Sequence, residues 1–244
     1  MLLNGASLGG IVTAQALEQA DLGNVVGALT LCGALAGSRN WDAALDLRLV
    51  YDVIAAGVPG AQIPGGAEGL PAGSTLTFTD VAVAVNAATG ILLPPAFRTP
   101  AQQARLDQLL AVTQLPESFL LIDMFFATFG LSDLVHSQGK LNGKIGTGNA
   151  GVSYGDADID ALIQRVTPNP GAANRLEKHY TPTGSVGAAK IVSLHTDKDG
   201  LVVVENESAY AAAQARLADG TAIRWRDGRW SVDPSRDVSF LEVG

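Results

Sequence analysis

A serine stands at the centre of a glycine-rich stretch near the start of the chain. Residues 1–12 read Met-Leu-Leu-Asn-Gly-Ala-Ser-Leu-Gly-Gly-Ile-Val, an apolar strand pattern followed by a turn and an apolar helix pattern. A Gly-x-Ser-x-Gly turn between strand and helix is typical of a nucleophilic serine, because small neighbours let the two elements approach closely. The helix N-terminus adds partial positive charge, which favours a negative tetrahedral intermediate. We therefore predict that Ser7 is a nucleophile for acyl transfer.

The same stretch has a second interpretation, because glycine-rich turns also bind phosphate groups. Nucleotide-binding turns use the order Gly-x-Gly-x-x-Gly, whereas residues 5–10 read Gly-x-Ser-x-Gly-Gly. The order therefore favours the nucleophile over nucleotide binding at residues 5–10.

Two later segments predict further strands of a parallel sheet. Residues 24–33 form an apolar run that ends in glycine, and the small thiol of Cys32 is expected to be buried within it. Residues 190–207 read as an apolar strand, a short acidic turn and a helix, with the pattern His-Thr-x-x-Asp-x-Leu-Val at 195–202. The carboxyl ends of both strands are expected at the ligand-binding edge of the sheet.

Together these segments resemble the α/β-hydrolase superfamily, in particular its serine esterases and peptidase-like hydrolases. The resemblance covers residues 1–37 and about 175–215, including the lead-in at 178–184. It implies that Asp199 is the acid of a catalytic triad, and the order Ser7 then Asp199 agrees with the family. It also implies that the backbone N–H of Leu8 is one oxyanion donor, while the second donor belongs to a loop upstream of Met1. The fold is thus expected to be an α/β-hydrolase-type parallel sheet flanked by helices, truncated at its N-terminus.

The resemblance fails at the catalytic histidine, which the family places after the acid. The three histidines are His136, His179 and His195, and none follows Asp199. His195 lies beside the acid at a position that is structural in the family, so we retain it only as a possible general base.

The sequence predicts three regions: hydrolase core at 1–37, a large helical cap at 38–187, and hydrolase core at 188–244 with a hairpin-like tail. In the cap, helices are predicted at 40–54 with Asn40 as N-cap, 78–92, 100–113, 116–129, 158–166 and 172–180, with a loop at 62–73. The apolar segment 119–129 is expected to pack as cap core or to line an apolar substrate pocket, and to be too short for a membrane span. In the C-terminal tail, apolar and polar residues alternate on both sides of Asp227-Gly228, which predicts a hairpin. The alternative is that the tail is foreign to the fold, for example from a shifted reading frame.

The composition restricts the partners of the protein. A formal net charge of −8 argues against nucleic acid and anionic membranes as partners, and one cysteine allows no internal disulfide. The sequence shows no zinc motif, no cofactor motif and no signal peptide, and it assigns no compartment. We expect a carboxylic ester with an apolar group as substrate, with a peptide less favoured. The alternative is an incomplete hydrolase that binds without turnover or self-associates through an exposed sheet edge.

Overall fold

The computed structural model describes residues 1–19, 22–196, 198–219, 225–226, 229–230 and 239–243. The chain divides into two compact units, one formed by Met1–Asn40 with Glu177–Gly244 and the other by Trp41–Leu176. The first unit carries all described strands and the second is helical. The architecture is therefore α/β, as the sequence predicts at this general level.

The first unit is built on a parallel sheet. The strands in chain order are β1 Leu2–Ala6, β2 Gly27–Leu31, β3 Lys190–Thr196, β4 Trp225–Arg226, β5 Arg229–Trp230 and β6 Ser239–Val243. The sheet order is β1-β2-β3-β6, and each neighbouring pair is parallel. Ala6 lies opposite Leu31 and Leu31 lies opposite Leu194, so the first three strands end at the same level.

The helices fall mostly within the predicted ranges. In chain order they are α1 Leu8–Gln19, α2 Arg39–Ile54, α3 Phe78–Thr89, α4 Pro100–Thr113, α5 Leu120–Phe125, α6 Leu131–His136, α7 Ala157–Leu162, α8 Pro170–Tyr180 and α9 Glu205–Asp219. Helix α2 begins at Arg39, so Asn40 lies in its first turn and is not its N-cap, contrary to the sequence prediction. Helix α3 ends at Thr89 because Gly90 adopts a left-handed conformation, with φ 66°, before the predicted end.

Among the residues that the structure describes, one face of the sheet is covered and the other is open. Helices α1 and α9 contribute Ala14 and Tyr210 to a core that includes Ala28 of β2 and Ile191 of β3. On the opposite face, among the residues that the structure describes, apolar side chains are exposed: Leu2, Leu29, Leu31 and Val192. Parallel sheets ordinarily have both faces covered. This open face is therefore a candidate interaction surface of the first unit.

The segment Glu117–His136 is one continuous helical stretch, longer than the predicted helix at 116–129. It passes through α5, a π-helical turn at Phe126–Gly130 and α6. By length and apolar composition alone it meets the requirements of a membrane span, so the expectation of a segment too short for this was wrong. Its buried residues Leu120, Met124 and Leu131 belong to the core of the helical unit. Core helices of soluble proteins meet the same requirements, so this stretch is weak support for a membrane span.

Two sequence predictions concern boundaries and the tail. The cap was predicted over 38–187, whereas the helical unit spans Trp41–Leu176 and its last helix, α8, continues into the first unit.

Strands β4 and β5 pair antiparallel, with Trp225 opposite Trp230, as a hairpin requires. The Asp227-Gly228 turn lies outside the described residues.

Candidate active site at the ends of the parallel strands

Ser7 occupies a strained turn between β1 and α1. Its φ is +54°, a left-handed conformation that is uncommon for a residue with a side chain. The Ser7 N–H donates to the carbonyl of Leu31 at 2.9 Å, and the Ser7 carbonyl accepts from the N–H groups of Gly10 at 2.9 Å and Ala34 at 3.2 Å. The side chain is exposed. The backbone thus fixes the turn on both sides and leaves the hydroxyl accessible.

Three glycines lie near Ser7, at positions 5, 9 and 10. At two of them a side chain would collide with neighbouring backbone. A Cβ on Gly5 would lie 2.1 Å from the carbonyl oxygen of Gly9, and a Cβ on Gly10 would lie 2.5 Å from the Cα of Gly33. A Cβ on Gly9 would meet nothing within 4 Å. The strand-to-helix approach and the helix-to-β2 approach therefore depend on Gly5 and Gly10, and Gly9 is free of this constraint.

Leu8 is the first residue of α1, and its side chain is exposed. Backbone N–H groups in the first turn of a helix have no partner within that helix. The Leu8 N–H is therefore placed as a helix-terminal donor directly after Ser7, which is the position that an oxyanion donor needs.

The expected acid, Asp199, lies in the loop after β3. Its Oδ1 accepts the N–H groups of Leu201 at 3.1 Å and Val202 at 3.0 Å, which fix the carboxylate in the loop. Strand β2 separates β1 from β3, so the Ser7 turn and the end of β3 are two strand spacings apart, roughly 10 Å at the backbone. A triad of these two residues therefore needs an imidazole to bridge them.

His195 does not fill that role in this structure. Its Nε2 lies 2.6 Å from the carbonyl of Val202, so Nε2 carries a proton and donates it. Its Nδ1 lies 2.9 Å from Oε1 of Glu207. Both ring nitrogens are occupied and the side chain is fully buried, so no nitrogen is left to accept the proton of Ser7. The geometry argues against the possible general base that the sequence analysis retained.

Glu207 anchors His195 through a buried polar ladder. Its Oε1 accepts the hydroxyl of Ser193 at 2.7 Å, and Ser193 in turn lies 2.6 Å from the hydroxyl of Thr30. Because Ser193 has given its only proton to Glu207, Thr30 is the donor of the second bond. Burial alone would lower the pKa of His195, but the bonds to Glu207 and Val202 outweigh it and raise that pKa. His195 is thus a structural residue that ties β3 to α9.

The other two histidines lie elsewhere. The Nε2 of His136 is 2.9 Å from the carbonyl of Leu70 and 3.1 Å from a carboxylate oxygen of Glu68, all within the helical unit. His179 lies on the exposed side of α8. Neither histidine forms a hydrogen bond with Ser7 or Asp199 in the described part of the chain.

Cys32 also stands at this sheet edge, and the sequence analysis did not anticipate that its thiol lies close to His195 and Asp199. It follows β2 with φ +45° and is half-buried, whereas it was expected to be buried in the strand. Burial raises the pKa of the Cys32 thiol; a hydrogen bond from the Thr196 backbone opposes this, and the carboxylates of Asp199 and Glu207 raise it further. The thiol is therefore a poor nucleophile. The sequence analysis did not predict Cys32 and Glu207 as neighbours of Asp199 and His195, because no sequence motif links them.

No protein-family model, no curated protein and no solved structure matches this chain.

Proposed function

We propose that this protein is a serine hydrolase of α/β-hydrolase type that acts on carboxylic esters through a Ser7 acyl-enzyme. The observation that carries the proposal is the conformation of Ser7, at φ +54° between a parallel strand and a helix, with its side chain exposed. A non-glycine residue persists in such a conformation only where the surrounding structure enforces it, and such residues cluster at active sites. The parallel order β1-β2-β3, with the acid after β3, is compatible with the proposal.

The chemistry begins with attack of the Ser7 oxygen on the ester carbonyl carbon, and the proton of the Ser7 hydroxyl passes to water. The C=O π electrons move to the oxygen, and the Leu8 N–H and the α1 N-terminus stabilise this oxyanion. Collapse of the intermediate breaks the ester C–O bond, leaves Ser7 acylated and expels an alkoxide, which takes a proton from solvent. Water then attacks the acyl carbon, the carboxylic acid is released and Ser7 regains its proton from solvent. Asp199 is proposed as the acid that orients a histidine, and the described geometry supplies no such histidine.

The missing base has a consequence for the substrate class. An amide leaving group must be protonated by a general acid as it departs, and histidine normally supplies that proton. An ester with a good leaving group departs as an anion without such help. We therefore expect esters to be cleaved in preference to peptides, and slowly, because loss of a triad member removes several orders of magnitude of rate. An apolar acyl or alkyl group on the ester remains a prediction from the phenylalanine-rich segment 119–129.

The experiment is p-nitrophenyl acetate and butyrate hydrolysis by the wild-type chain and by Ser7→Ala. We expect hydrolysis above the buffer rate that is lost in Ser7→Ala and retained in Ser74→Ala, a change at an exposed serine of the helical unit. Equal rates for the wild type and Ser7→Ala would refute Ser7 as the nucleophile.

A second candidate function is a binding role without turnover, through self-association at the β1 edge. The supporting observation is the open apolar face of the sheet, on which Leu2 is 74% exposed. Among the described strands, β1 pairs only with β2, so its other edge is free to pair with a second copy of the chain.

Sedimentation equilibrium tests the self-association. We expect a concentration-dependent dimer that Leu2→Lys weakens. Leu162→Lys is the matched control, because Leu162 is 71% exposed in the helical unit. A wild-type chain that stays monomeric, or equal weakening by both variants, would exclude this candidate.

A further inference from the structure

A thiol, an imidazole and a carboxylate meet at the end of the sheet. The ligand atoms of Cys32, His195 and Asp199 all lie within 4.8 Å of one another, and Nε2 of His195 is 4.0 Å from Oδ2 of Asp199. Thiolate, imidazole and carboxylate are the donors that Zn²⁺ takes in proteins. We propose that Cys32, His195 and Asp199 bind a divalent transition-metal cation of the Zn²⁺ class.

The three ligand atoms lie slightly farther apart than they would around a bound cation. Ligand atoms that share one tetrahedral Zn²⁺, with bonds of about 2.0–2.3 Å, lie roughly 3–4 Å apart. The three atoms must therefore approach by about 1 Å, a distance within reach of side-chain rotation at Cys32, which is only half-buried. The fourth position is left to water.

The residues around the three ligands provide the outer contacts of a metal site. Metal-binding histidines usually donate their second ring nitrogen to a carboxylate or carbonyl, which orients the ring. Here Glu207 accepts from Nδ1 of His195 at 2.9 Å, which leaves Nε2 as the ligand atom. The carbonyl oxygen of Val202, 2.6 Å from Nε2, must move aside for the cation to bind there. Asp199 is held through Oδ1 by two backbone N–H groups, which leaves Oδ2 for the cation.

Charge and protons balance when the cation binds. The Cys32 thiol loses its proton to solvent and becomes a thiolate, and Nε2 of His195 loses the proton that it donates to Val202. The Nδ1–H bond to Glu207 is kept. The thiolate and the Asp199 carboxylate then neutralise the two positive charges of the cation, so no net charge is placed at this sheet edge.

Cobalt substitution tests the metal site without reference to activity. Co²⁺ is titrated into the reduced, full-length chain, and the thiolate-to-cobalt charge-transfer band in the near ultraviolet is recorded. Because Cys32 is the only cysteine, this band reports that residue alone. We expect one equivalent to bind and Zn²⁺ to displace it. Cys32→Ser should remove the band, Asp199→Asn should weaken the affinity tenfold or more, and His179→Gln, a change at an exposed histidine outside the cluster, should leave it unchanged.

Two results would overturn the proposal. One is the absence of a charge-transfer band at stoichiometric Co²⁺ in a folded wild-type chain. The other is unchanged affinity in Asp199→Asn, which would reduce the site to adventitious binding by a single thiol. Circular dichroism of each variant verifies folding. Since the spectrum requires no turnover, failure of the metal site and failure of the hydrolase proposal are separable.

Discussion

Replacement of Gly10 by alanine, compared with the same change at Gly9, tests the packing that forms the Ser7 turn. Both glycines lie in the first turn of α1. Alanine is favoured over glycine in a helix by about 0.5–1 kcal/mol at either position. The new Cβ meets nothing within 4 Å at position 9, but at position 10 it lies 2.5 Å from the Cα of Gly33, a backbone atom.

The difference between the two variants isolates the steric effect, because the helix propensity gain is common to both. Ordinary carbon contacts lie near 3.5–4.0 Å, so α1 and the turn after β2 must separate by about 1 Å in Gly10→Ala. Overpacking of this kind costs typically about 1–3 kcal/mol. We therefore expect Gly9→Ala to be stabilising by about 0.5–1 kcal/mol, and Gly10→Ala to be less stable than Gly9→Ala by about 1–3 kcal/mol.

The assay must report the first unit alone, because a chain of two compact units need not unfold in one step. Hydrogen exchange of peptides from residues 1–40, measured by mass spectrometry across a urea series, gives the local free energy of opening. Equal opening free energies for the two variants would refute the close approach of Gly10 and Gly33, and with it the described packing of the turn.

The remaining predictions concern stability in both units. Burial raises the pKa of Asp46 from 3.8 to about 6, so the folded state holds this proton more tightly than the unfolded chain and stability falls as pH rises from about 4 to about 6. Asp46→Asn keeps an acceptor for the hydroxyl of Tyr154 and should remove this loss of stability, which is at most about 3 kcal/mol. Urea unfolding of the wild type and of Asp46→Asn at pH 4 and pH 7 measures the difference. An unchanged pH dependence of stability in Asp46→Asn would contradict the prediction. Thr77→Ala removes the capping box of α3 and should destabilise the helical unit by about 1 kcal/mol in the same assay, whereas no loss would contradict the cap. Asn206→Ala removes a buried acceptor of the Ala36 N–H at 2.7 Å and should cost about 1–3 kcal/mol, measured by hydrogen exchange of peptides that contain Ala36.

Local patterns in the sequence predicted much of the secondary structure. Helix α4 spans Pro100–Thr113 as predicted, because Thr99 and Gln102 form a capping box and Pro100 takes the first helical position. The strand-to-helix turn at Ser7 was likewise readable, since its glycines and serine are consecutive in sequence. Both features depend on residues within a few positions of one another.

The helix at 117–136 shows where local patterns fail. The sequence predicted an end at residue 129, directly before Gly130, and glycine commonly stops a helix. Gly130 instead keeps a right-handed conformation, with φ −65°, and the stretch continues through a π-helical turn. Packing of Leu131 and Leu134 in buried positions favours this continuation, and no local signal encodes it.

The surroundings of Asp199 were the least predictable part of the site. Cys32 approaches His195 only because β2 and β3 are paired with Leu31 opposite Leu194. Glu207 approaches His195 because α9 packs on the same sheet face. These contacts arise from strand register and helix placement, which a single sequence does not reveal.

Ser7 is proposed as the nucleophile, and covalent labelling tests that role most directly. The purified chain is treated with a fluorophosphonate reagent, and the modified peptide is identified by mass spectrometry. Our account predicts one adduct per chain on the peptide that contains Ser7, and none in Ser7→Ala. A folded wild-type chain that stays unlabelled, or one labelled at another residue, would contradict it.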